Sequence, residues 1–221
     1  MINLEFTEHR VQEIRVANNN LFELVLERSG LEFIPGDCTA IYTSDGKSRP
    51  YSISSGSSEN ELRFLIRKME GGEVSPWLME RSSGDMIRIA PPFGWFRPGQ
   101  EINGAPFVFI ATGTGIAPFL SYLNTFKTAP SHCLYGVRRE ADIIGLDKLK
   151  NACPTQLAIS REASNLHHNG RVTDLLDTLP LTSEIHYYCC GLESMVNEVS
   201  AWLQSHGVDL QKIHREVFFH G

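Results

Sequence analysis

A continuous apolar run at residues 107–111 leads directly into the glycine-rich sequence Thr112-Gly113-Thr114-Gly115. An unbroken apolar run of this length is typical of a strand that is buried on both faces of a sheet. A helical pattern follows to about residue 126, so the unit is a strand, a glycine loop and a helix. Such a unit binds the pyrophosphate of nucleotides in many α/β folds, although Pro118 stands where the usual fingerprint has its third glycine.

The rest of the second half alternates between strand-like and helix-like segments. We expect helices at residues 141–151, 172–179 and 193–206, between strands at 107–111, 132–137, 156–160, 185–190 and 213–218. This alternation predicts an α/β domain over residues 102–221, with a five-stranded parallel sheet and helices on both of its faces. Ligands bind such sheets at the carboxyl ends of the strands, which makes the residues after each strand candidates for a site.

The first half has a different pattern, in which short apolar runs are separated by turn signals. The runs lie at residues 22–27, 38–42, 51–54, 62–67 and 86–90, with glycine, asparagine, proline and aspartate between them. About six strands at this spacing predict a small antiparallel β-barrel over residues 1–101. A chain of 221 residues is long enough to form both domains.

Composition and charge argue against several classes of function. The net charge of −6 disfavours a general affinity for nucleic acid, and no apolar run approaches the roughly 18 residues of a membrane span. Residues 1–10 lack the apolar centre of a signal peptide, so a cytoplasmic protein is expected. The five cysteines are scattered without a C-x-x-C pair, so we expect no bound metal, no disulfide framework and no iron–sulfur cluster.

The sequence Arg49-Pro50-Tyr51-Ser52 places a cation, an aromatic ring and a hydroxyl together on a strand-like run. Arg49 and Tyr51 fall on one side of an extended chain, and Ser52 falls on the other. A flavin dinucleotide needs such groups: a guanidinium for its pyrophosphate, an aromatic face for its ring and a hydrogen-bonding group near N5. The alternative is a core strand whose arginine extends its charged end into solvent.

A second anion site is predicted where Gly71 and Gly72 precede a short helix. Ser75 is expected to be the N-cap of this helix, with Pro76 at its first helical position. Free amides at the start of a helix bind anions, and a pyrophosphate has two phosphates to hold. The alternative is an ordinary capped helix that closes the barrel.

Ser160-Arg161 follows one of the predicted parallel strands and offers a hydroxyl and a guanidinium at the end of that strand. These two groups suit a phosphate monoester such as the 2′-phosphate of NADP, and Arg138 and Arg171 are further candidate cations. The alternative is the ordinary polarity of a surface loop.

Three more residues lie at or near strand ends in the second half. Cys190 ends a strand just before Gly191, although a buried cysteine is most often simply a small apolar residue. Glu216 and Phe218 share one face of the last predicted strand. An aromatic ring at this position could cover a flavin, and the alternative is that it belongs to the core.

Taken together, these motifs resemble the ferredoxin–NADP reductase family, and they occur in the family's order from residue 21 to residue 218. The segments that carry the resemblance are R-x-Y-S at 49–52, the segments 65–68, 72–75 and 112–119, C-G-x-x-x-M at 190–195, and E-x-aromatic at 216–218. One departure is that Phe218 stands where plant-type members end in tyrosine, and three residues follow it.

The resemblance implies FAD as a bound cofactor and a role for each matching residue. Tyr51 would stack on the flavin, Ser52 would lie near N5, and Cys190 and Glu216 would line the pocket through which hydride passes, so Ser52, Cys190 and Glu216 are the expected catalytic residues. Phe218 would shield the flavin until nicotinamide displaces it. Further FAD contacts are expected from Arg49, Pro50, Ile66, Arg67, Gly72, Val74 and Ser75. Contacts to the nicotinamide dinucleotide, with NADPH favoured over NADH, are expected from Thr112, Gly113, Thr114, Ser160, Arg161, Gly191 and Met195.

The same resemblance implies an oxidoreductase that passes electrons from NADPH, or from NADH, to a separate one-electron carrier such as a ferredoxin or flavodoxin, or to an oxygenase component. Arg63, Arg67, Lys68 and Arg97 are expected to contribute to a basic face on which an acidic carrier docks. One alternative is a reductase of free flavin. Another is a non-catalytic electron-transfer subunit or a flavin sensor. The sequence leaves the electron acceptor and the oligomeric state open.

Overall fold

The computed structural model describes residues 6–218, which form two domains with one sheet each. The first domain contains six strands, β1 (Thr7–Asn18), β2 (Leu21–Glu27), β3 (Cys38–Tyr42), β4 (Ser48–Ser52), β5 (Glu61–Arg67) and β6 (Met86–Ile89). The strands pair antiparallel in the order β4-β3-β6-β1-β2-β5. An antiparallel bridge between Ile53, just after β4, and Phe64 of β5 joins the two edges, so the sheet closes into the predicted barrel.

The interior of this barrel is built from alternate residues of its strands. Phe22, Leu24, Ile41, Phe64 and Ile89 are fully buried there, as the period of two in an extended chain requires when one face of the sheet is covered. A short helix, α1 (Val74–Met79), closes the barrel with its buried apolar side chains. The barrel therefore presents only its outer surface and the ends of its strands to the second domain.

The second domain is a parallel sheet covered by helices. Its elements are β7 (Phe107–Thr112), α2 (Ala117–Thr125), β8 (His132–Val137), α3 (Leu146–Ala152), β9 (Thr155–Ile159), β10 (His168–Asn169), β11 (His186–Leu192), α4 (Glu193–Ser205) and β12 (Ile213–Phe218). The strand order is β10-β9-β8-β7-β11-β12. The predicted count of five strands was one too low, because β10 is a two-residue edge strand too short to give a periodic pattern.

Two of the predicted helices differ from the structure. The helix expected at 141–151 begins only at Leu146, because Gly145 adopts a left-handed conformation with φ of 70° and separates α3 from a 3₁₀ turn at Glu140–Asp142. The segment expected as a helix at 172–179 is a 3₁₀ helix, Val172–Thr178. The glycine loop after β7 also forms a 3₁₀ turn, Gly113–Ile116, and it leads directly into α2.

Helix α2 joins the two domains. Ser121 Oγ donates a hydrogen bond to the carbonyl of Ser55 at 2.7 Å, and Asn124 Nδ2 donates to the carbonyl of Ser54 at 3.2 Å. Gly56 lies so close to the helix that a Cβ atom there would be 2.7 Å from the carbonyl oxygen of Asn124. These contacts hold the segment after β4 against the helix that follows the glycine loop, so the two predicted binding motifs lie on either side of one interface.

Among residues 6–218, none of the helices has the length and apolar character needed to span a membrane. The predicted boundary between residues 101 and 102 lies within the connection from β6 to β7.

Candidate functional site

The first part of the site is strand β4, which carries three of the predicted flavin ligands. Arg49 is exposed, Tyr51 is half-buried and Ser52 is buried. Burial raises the pKa of Tyr51 to about 12, and the nearby charge of Arg49 partly offsets this rise. The Arg49 guanidinium donates only to the adjacent carbonyl of Ser48 and has no carboxylate partner within the described residues. Its charge is therefore available to an anionic ligand beside Tyr51.

The glycine loop before α1 lies next to this strand. Lys47, in the turn that leads into β4, forms an ion pair with Glu73, the residue that precedes α1. The prediction that Ser75 caps the helix was wrong, because Ser75 lies inside α1 and its hydroxyl accepts a hydrogen bond from the amide of Met69 at 2.9 Å. The amide of Gly72 donates to the carbonyl of Met69 at 3.0 Å, so it serves the turn rather than a free anion site.

Two apolar residues that were expected to bind FAD have buried side chains. Ile66 is fully buried in the barrel and Val74 is nearly so, because both belong to its apolar interior. Any contact that they make with a ligand must come from their backbone atoms.

Arg67 lies at the junction of the two domains. Its guanidinium is 3.3 Å from Asp142 Oδ1, and the side chains of both residues are largely buried. Asn18 Nδ2 donates to the same Oδ1 atom at 3.0 Å and to the carbonyl of Ala141 at 2.9 Å. The ion pair therefore ties the end of β5 to the loop after β8. Arg67 also lines the cleft described next, which sequence reasoning had not assigned to it.

A cleft of about 260 Å³ opens at the carboxyl ends of the central parallel strands. Its lining contains most of the residues expected to bind the nicotinamide dinucleotide, namely Thr112, Gly113, Thr114, Ser160, Arg161 and Met195, and the candidate cations Arg138 and Arg171. It also contains residues that were not expected there, among them Arg67, Gly136, Ser194 and Glu198. This is the end of a parallel sheet at which nucleotides bind.

Glycines allow the floor of this cleft to form. A Cβ atom on Gly115 would be 2.4 Å from the carbonyl oxygen of Cys190, and one on Gly191 would be 2.3 Å from Thr112 Oγ1. Gly191 also has φ of 138°, and Thr112 Oγ1 accepts a hydrogen bond from the amide of Leu192 at 3.0 Å. Only glycine at these two positions lets the loop after β7 contact the end of β11.

Three arginines give the cleft a concentrated positive charge. Arg138, Arg161 and Arg171 line it, and none of them is paired with a carboxylate within residues 6–218. Partial burial lowers the pKa of Arg138, and the like charges of Arg161 and Arg67 add to this effect. Unpaired guanidiniums that repel each other in a cleft are typical of a binding site for a phosphate group.

Ser160 lines the cleft, and its contact with a 2′-phosphate stays a prediction. Ser160 Oγ donates to the carbonyl of Val137 at 3.2 Å, so its proton is already engaged within the protein. The arginines are then the principal donors for a phosphate at this end of the cleft.

Cys190 and Glu216 are direct neighbours on β11 and β12. The thiol of Cys190 donates to Glu216 Oε2 across a distance of 3.6 Å. Burial raises the pKa of Glu216 to about 7, against the opposing effects of the Cys190 hydrogen bond and the charge of Arg97. Burial, reinforced by the charge of Glu216, raises the pKa of the Cys190 thiol well above its usual value.

Phe218 is the last residue that the structure describes, and it is half-buried. Its side chain packs against the core that contains Phe96 and Cys190. The three residues that follow it in the sequence lie outside the described part of the chain. The shielding role of Phe218 stays a prediction.

Sequence reasoning missed several residues that position the site. Arg97 forms a 2.8 Å ion pair with Asp37, and both charges act on Glu216, but no local motif signals this pairing. The expected basic docking face does not form as predicted. Arg63 pairs with Glu59 and Glu61, while Arg67 and Arg97 are each paired with an aspartate. Within residues 6–218, no three metal-ligating side chains come together.

Two family models match the chain, one in each domain. The model described as an oxidoreductase FAD-binding domain matches residues 10–97, and the one described as an oxidoreductase NAD-binding domain matches residues 109–201. A barrel that carries R-x-Y-S, followed by a nucleotide-binding α/β sheet, defines a flavoenzyme of the reductase type. The chain belongs to the ferredoxin–NADP reductase family.

The comparison with known proteins agrees with this assignment. The chain is 31% identical over 202 residues to the ferredoxin–NAD(P)+ reductase component of the naphthalene 1,2-dioxygenase/salicylate 5-hydroxylase systems of a Ralstonia species, which covers 86% of the chain and 61% of the relative. It is 28% identical over 229 residues to the toluate 1,2-dioxygenase electron transfer component of Pseudomonas putida, covering 94% of the chain and 66% of the relative. The chain thus spans less than two thirds of the length of these two relatives.

The same fold occurs in a solved structure of nearly equal length. The ferredoxin NADP+ reductase from Neisseria gonorrhoeae, crystallised with FAD and NADP, superposes with a TM-score of 0.82 at 22% identity. The match covers 97% of this chain and 98% of the other. This likeness confirms the two-domain architecture.

The residues present fit both cofactors of the family. On the barrel, the unpaired Arg49 guanidinium, the half-buried Tyr51 ring and the buried Ser52 hydroxyl lie on consecutive parts of one strand, as a flavin dinucleotide requires. On the sheet, the glycine loop after β7 packs against the end of β11 too closely for any side chain at Gly115 or Gly191, and arginines line the cleft. This donor set suits a dinucleotide that carries several phosphates.

Proposed function

We propose that this protein uses NADPH to reduce a tightly bound FAD and then passes electrons singly to a separate protein carrier. The observation that carries the proposal is the nucleotide cleft itself. Three unpaired arginines lie among its lining residues, and its glycine floor rests against the strand that carries Cys190. The glycine loop after β7 lies between the arginines and the pair of Cys190 and Glu216. This arrangement suits a substrate with a phosphate at one end and a reacting ring at the other.

Bound FAD supplies the conversion of a two-electron donor into one-electron outputs. The protein supplies position and electrostatics. Arg49 would hold the flavin dinucleotide through its pyrophosphate, and Tyr51 would offer its ring face. Arg67, Arg138, Arg161 and Arg171 would hold the phosphates of NADPH.

The Cys190–Glu216 pair is assigned to the reacting end of the cleft. Cys190 keeps its proton directed at Glu216 Oε2, which fixes the thiol and leaves the carboxyl group close to its own titration point. Cys190 is fully buried and Glu216 is half-buried, so their charge state acts more strongly on a ring bound beside them than it would in open water.

The nature of the electron acceptor is inferred from the relatives. One is named as the electron transfer component of toluate 1,2-dioxygenase, and another as the ferredoxin–NAD(P)+ reductase component of naphthalene 1,2-dioxygenase/salicylate 5-hydroxylase systems. The solved structure with the same fold is named as a ferredoxin NADP+ reductase. A ferredoxin, a flavodoxin or an oxygenase component is therefore the proposed acceptor. We include no basic docking face in this proposal, because three of the four cations first considered for one are paired.

A reductase of free flavin is the second candidate, and one observation favours it. The Gly72 amide is engaged by Met69 and Arg67 is turned toward the other domain, so fewer donors than expected surround the flavin pyrophosphate. Such a loss would weaken FAD retention.

The two candidates are separated by gel filtration followed by a turnover assay. Tight FAD binding predicts a yellow protein with about one FAD per chain, which reduces a ferredoxin or flavodoxin at the expense of NADPH without added flavin. A colourless protein that oxidises NADPH only when riboflavin or FMN is supplied would replace the first proposal with the second.

A further inference from the structure

The segment that carries Arg161 is a surface excursion closed at its base. It leaves the end of β9, and the chain returns to the sheet at β10. At the base, the amide of Gly170 donates to the carbonyl of Ile159 at 2.9 Å. Further out, the amide of Ser164 donates to Asn169 Oδ1 at 2.6 Å, and Asn169 Nδ2 donates back to the carbonyl of Ser164 at 2.9 Å. These two hydrogen bonds between Ser164 and Asn169 hold the excursion at a fixed width, although most of its side chains are exposed.

The excursion is also tied to the loop after β8, which carries Arg138. Ser164 Oγ donates to Glu140 Oε1 at 2.7 Å, and the amide of Glu140 is hydrogen-bonded to the carboxylate of Glu162. The Ser164 hydroxyl accepts in turn from the amide of Leu166 at 3.2 Å. Ser164 is buried in a segment whose neighbours face solvent, so its side chain serves these internal bonds.

The backbone connects the three arginines to the same framework. The amide of Arg161 donates to the carbonyl of Arg138 at 2.9 Å, which sets the separation of these two residues. The amide of Arg171 donates to Asp174 Oδ2 at 2.8 Å, just after β10. The guanidiniums of Arg138 and Arg161 repel each other, so they stay close only where the chain that bears them is held.

We propose that Ser164, through its bonds to Glu140 and Asn169, is a positioning residue that holds Arg161 against Arg138 and so sets the preference of the cleft for a 2′-phosphate. This inference rests on the proposed use of NADPH. The inference goes further than that proposal because it assigns the selectivity for NADPH to a clasp, defined as Ser164, Glu140 and Asn169. None of these three residues lines the cleft.

The clasp acts by keeping the phosphate donors preorganised. Without the bond from Ser164 to Glu140, the loops after β8 and β9 keep the backbone bond between Arg161 and Arg138 but lose a side-chain tie. The two guanidiniums are then held less firmly, and a phosphate would have to draw them together against their repulsion. Loss of one hydrogen bond to a charged group corresponds to roughly tenfold in affinity. A dinucleotide without the 2′-phosphate gains nothing from this preorganisation.

The negative charge of Glu140 disfavours phosphate binding, whereas its hydrogen bond with Ser164 favours it. These two effects of the side chain can be measured separately. A carboxylate near the arginines repels a phosphate, so removing its charge alone should strengthen binding. Glu140→Gln removes the charge but keeps an oxygen that accepts from Ser164. Glu140→Ala removes the charge and the acceptor together. The difference between these two variants isolates the hydrogen bond.

The test measures binding of adenosine 2′-monophosphate and of adenosine 5′-monophosphate to the purified flavin-loaded protein by calorimetry. Ser164→Ala and Glu140→Ala should each bind the 2′-phosphate roughly tenfold more weakly than Glu140→Gln, with little change for the 5′-phosphate. In turnover, the ratio of the KM for NADPH to the KM for NADH should be higher in these two variants than in Glu140→Gln. The kcat values should change little. The flavin spectrum and the melting temperature report whether each variant is folded.

Arg161→Ala distinguishes failure of this inference from failure of the proposed function. If Arg161→Ala weakens binding of the 2′-phosphate while Ser164→Ala binds it as tightly as the unaltered protein and Glu140→Ala binds it as tightly as Glu140→Gln, the clasp is refuted and the NADPH site stands. If Arg161→Ala also binds it unchanged, the assignment of NADPH fails. Should Ser164→Ala not fold, the comparison between the exposed Glu140 variants still decides, and equal affinities there would overturn the clasp.

Discussion

The thiol of Cys190 donates to the carboxyl group of Glu216 from the neighbouring parallel strand, with 3.6 Å between Sγ and Oε2. Burial raises the pKa values of both groups, so near neutral pH the thiol is protonated and the carboxyl group is close to half-ionised. An acid that titrates near pH 7 inside the proposed hydride pocket has consequences for both rate and stability.

The first prediction concerns the pH dependence of flavin reduction. A nicotinamide ring gains positive charge as it gives up hydride, and an ionised Glu216 stabilises that charge. The reduction rate should therefore rise as the pH increases through about 7. Stopped-flow reduction by NADPH should show this step, and Glu216→Gln should lower the plateau at high pH at least about tenfold and remove the step. A step that persists in Glu216→Gln would assign the titration to another group.

The second prediction concerns stability, which should fall as the pH increases through about 7, whereas the reduction rate should rise. The folded pKa of Glu216 lies above its usual value of 4.5, so the folded state holds the proton more tightly than the unfolded chain. The contribution of this group is fully present below pH 4.5 and is lost as the pH rises through about 7. Glu216→Gln should thus gain stability over the unaltered protein between pH 5 and pH 8, by at most about 3 kcal/mol. Urea unfolding of the flavin-loaded proteins at both pH values measures the difference, and an equal difference at the two values would refute it.

The third prediction concerns the ion pair between Arg67 and Asp142. Asp142→Ala leaves a largely buried guanidinium without its partner and should destabilise the protein by about 3 kcal/mol. The double variant with Arg67→Ala should lose less than the sum of the two single changes, because the two residues are in contact. The more exposed pair of Arg81 and Asp85 is the matched control, and Asp85→Ala should cost less than about 1 kcal/mol.

Additive losses in the first pair would show that Arg67 and Asp142 act independently. The turnover assay adds a second readout, since Arg67 lines the nucleotide cleft. Arg67→Ala should raise the KM for NADPH, whereas Asp85→Ala should leave it unchanged. An unchanged KM in Arg67→Ala would remove this residue from the nucleotide site.

The fourth prediction tests the floor of the cleft. In Gly191→Ala the new methyl group would collide with Thr112, 2.3 Å from its Oγ1 atom and 2.8 Å from its carbonyl oxygen. Gly104 is the control, because it also has positive φ, at 77°, but a methyl group there would meet open space. Gly104→Ala should cost about 1 kcal/mol from backbone strain alone, and Gly191→Ala at least about 3 kcal/mol, with a raised KM for NADPH. Equal unfolding midpoints in urea would contradict the close approach of the two loops.

Much of the architecture follows from local pattern. The apolar run at residues 107–111 and the glycines after it identified the nucleotide-binding sheet, and short alternating runs identified the barrel. Strand β1 was not predicted, although it is the longest strand, because most of its residues are polar and exposed. Only His9 and Val11 of this strand are buried. It is held by its antiparallel neighbours β2 and β6 rather than by an apolar face, and pairing of this kind leaves no periodic signal.

The candidate site was predictable where neighbouring residues act together and not where distant ones meet. Arg49, Tyr51 and Ser52 follow one another in the sequence, so their grouping needs only an extended chain. Arg67 was assigned to the flavin because residues 65–68 resemble an FAD-binding segment of the family, whereas the fold pairs it with Asp142 in the other domain. The hydroxyl of Ser75 was expected to cap a helix, but it accepts a hydrogen bond from the amide of Met69 instead.

The most direct test of the central claim is an anaerobic titration of the purified protein with NADPH and then with NADH, followed by flavin absorbance. Three unpaired arginines at one end of the cleft predict that NADPH bleaches the flavin at a concentration far below that required of NADH. Equal or better bleaching by NADH would contradict the assigned 2′-phosphate site. Absence of flavin absorbance from the purified protein would contradict the proposed bound FAD.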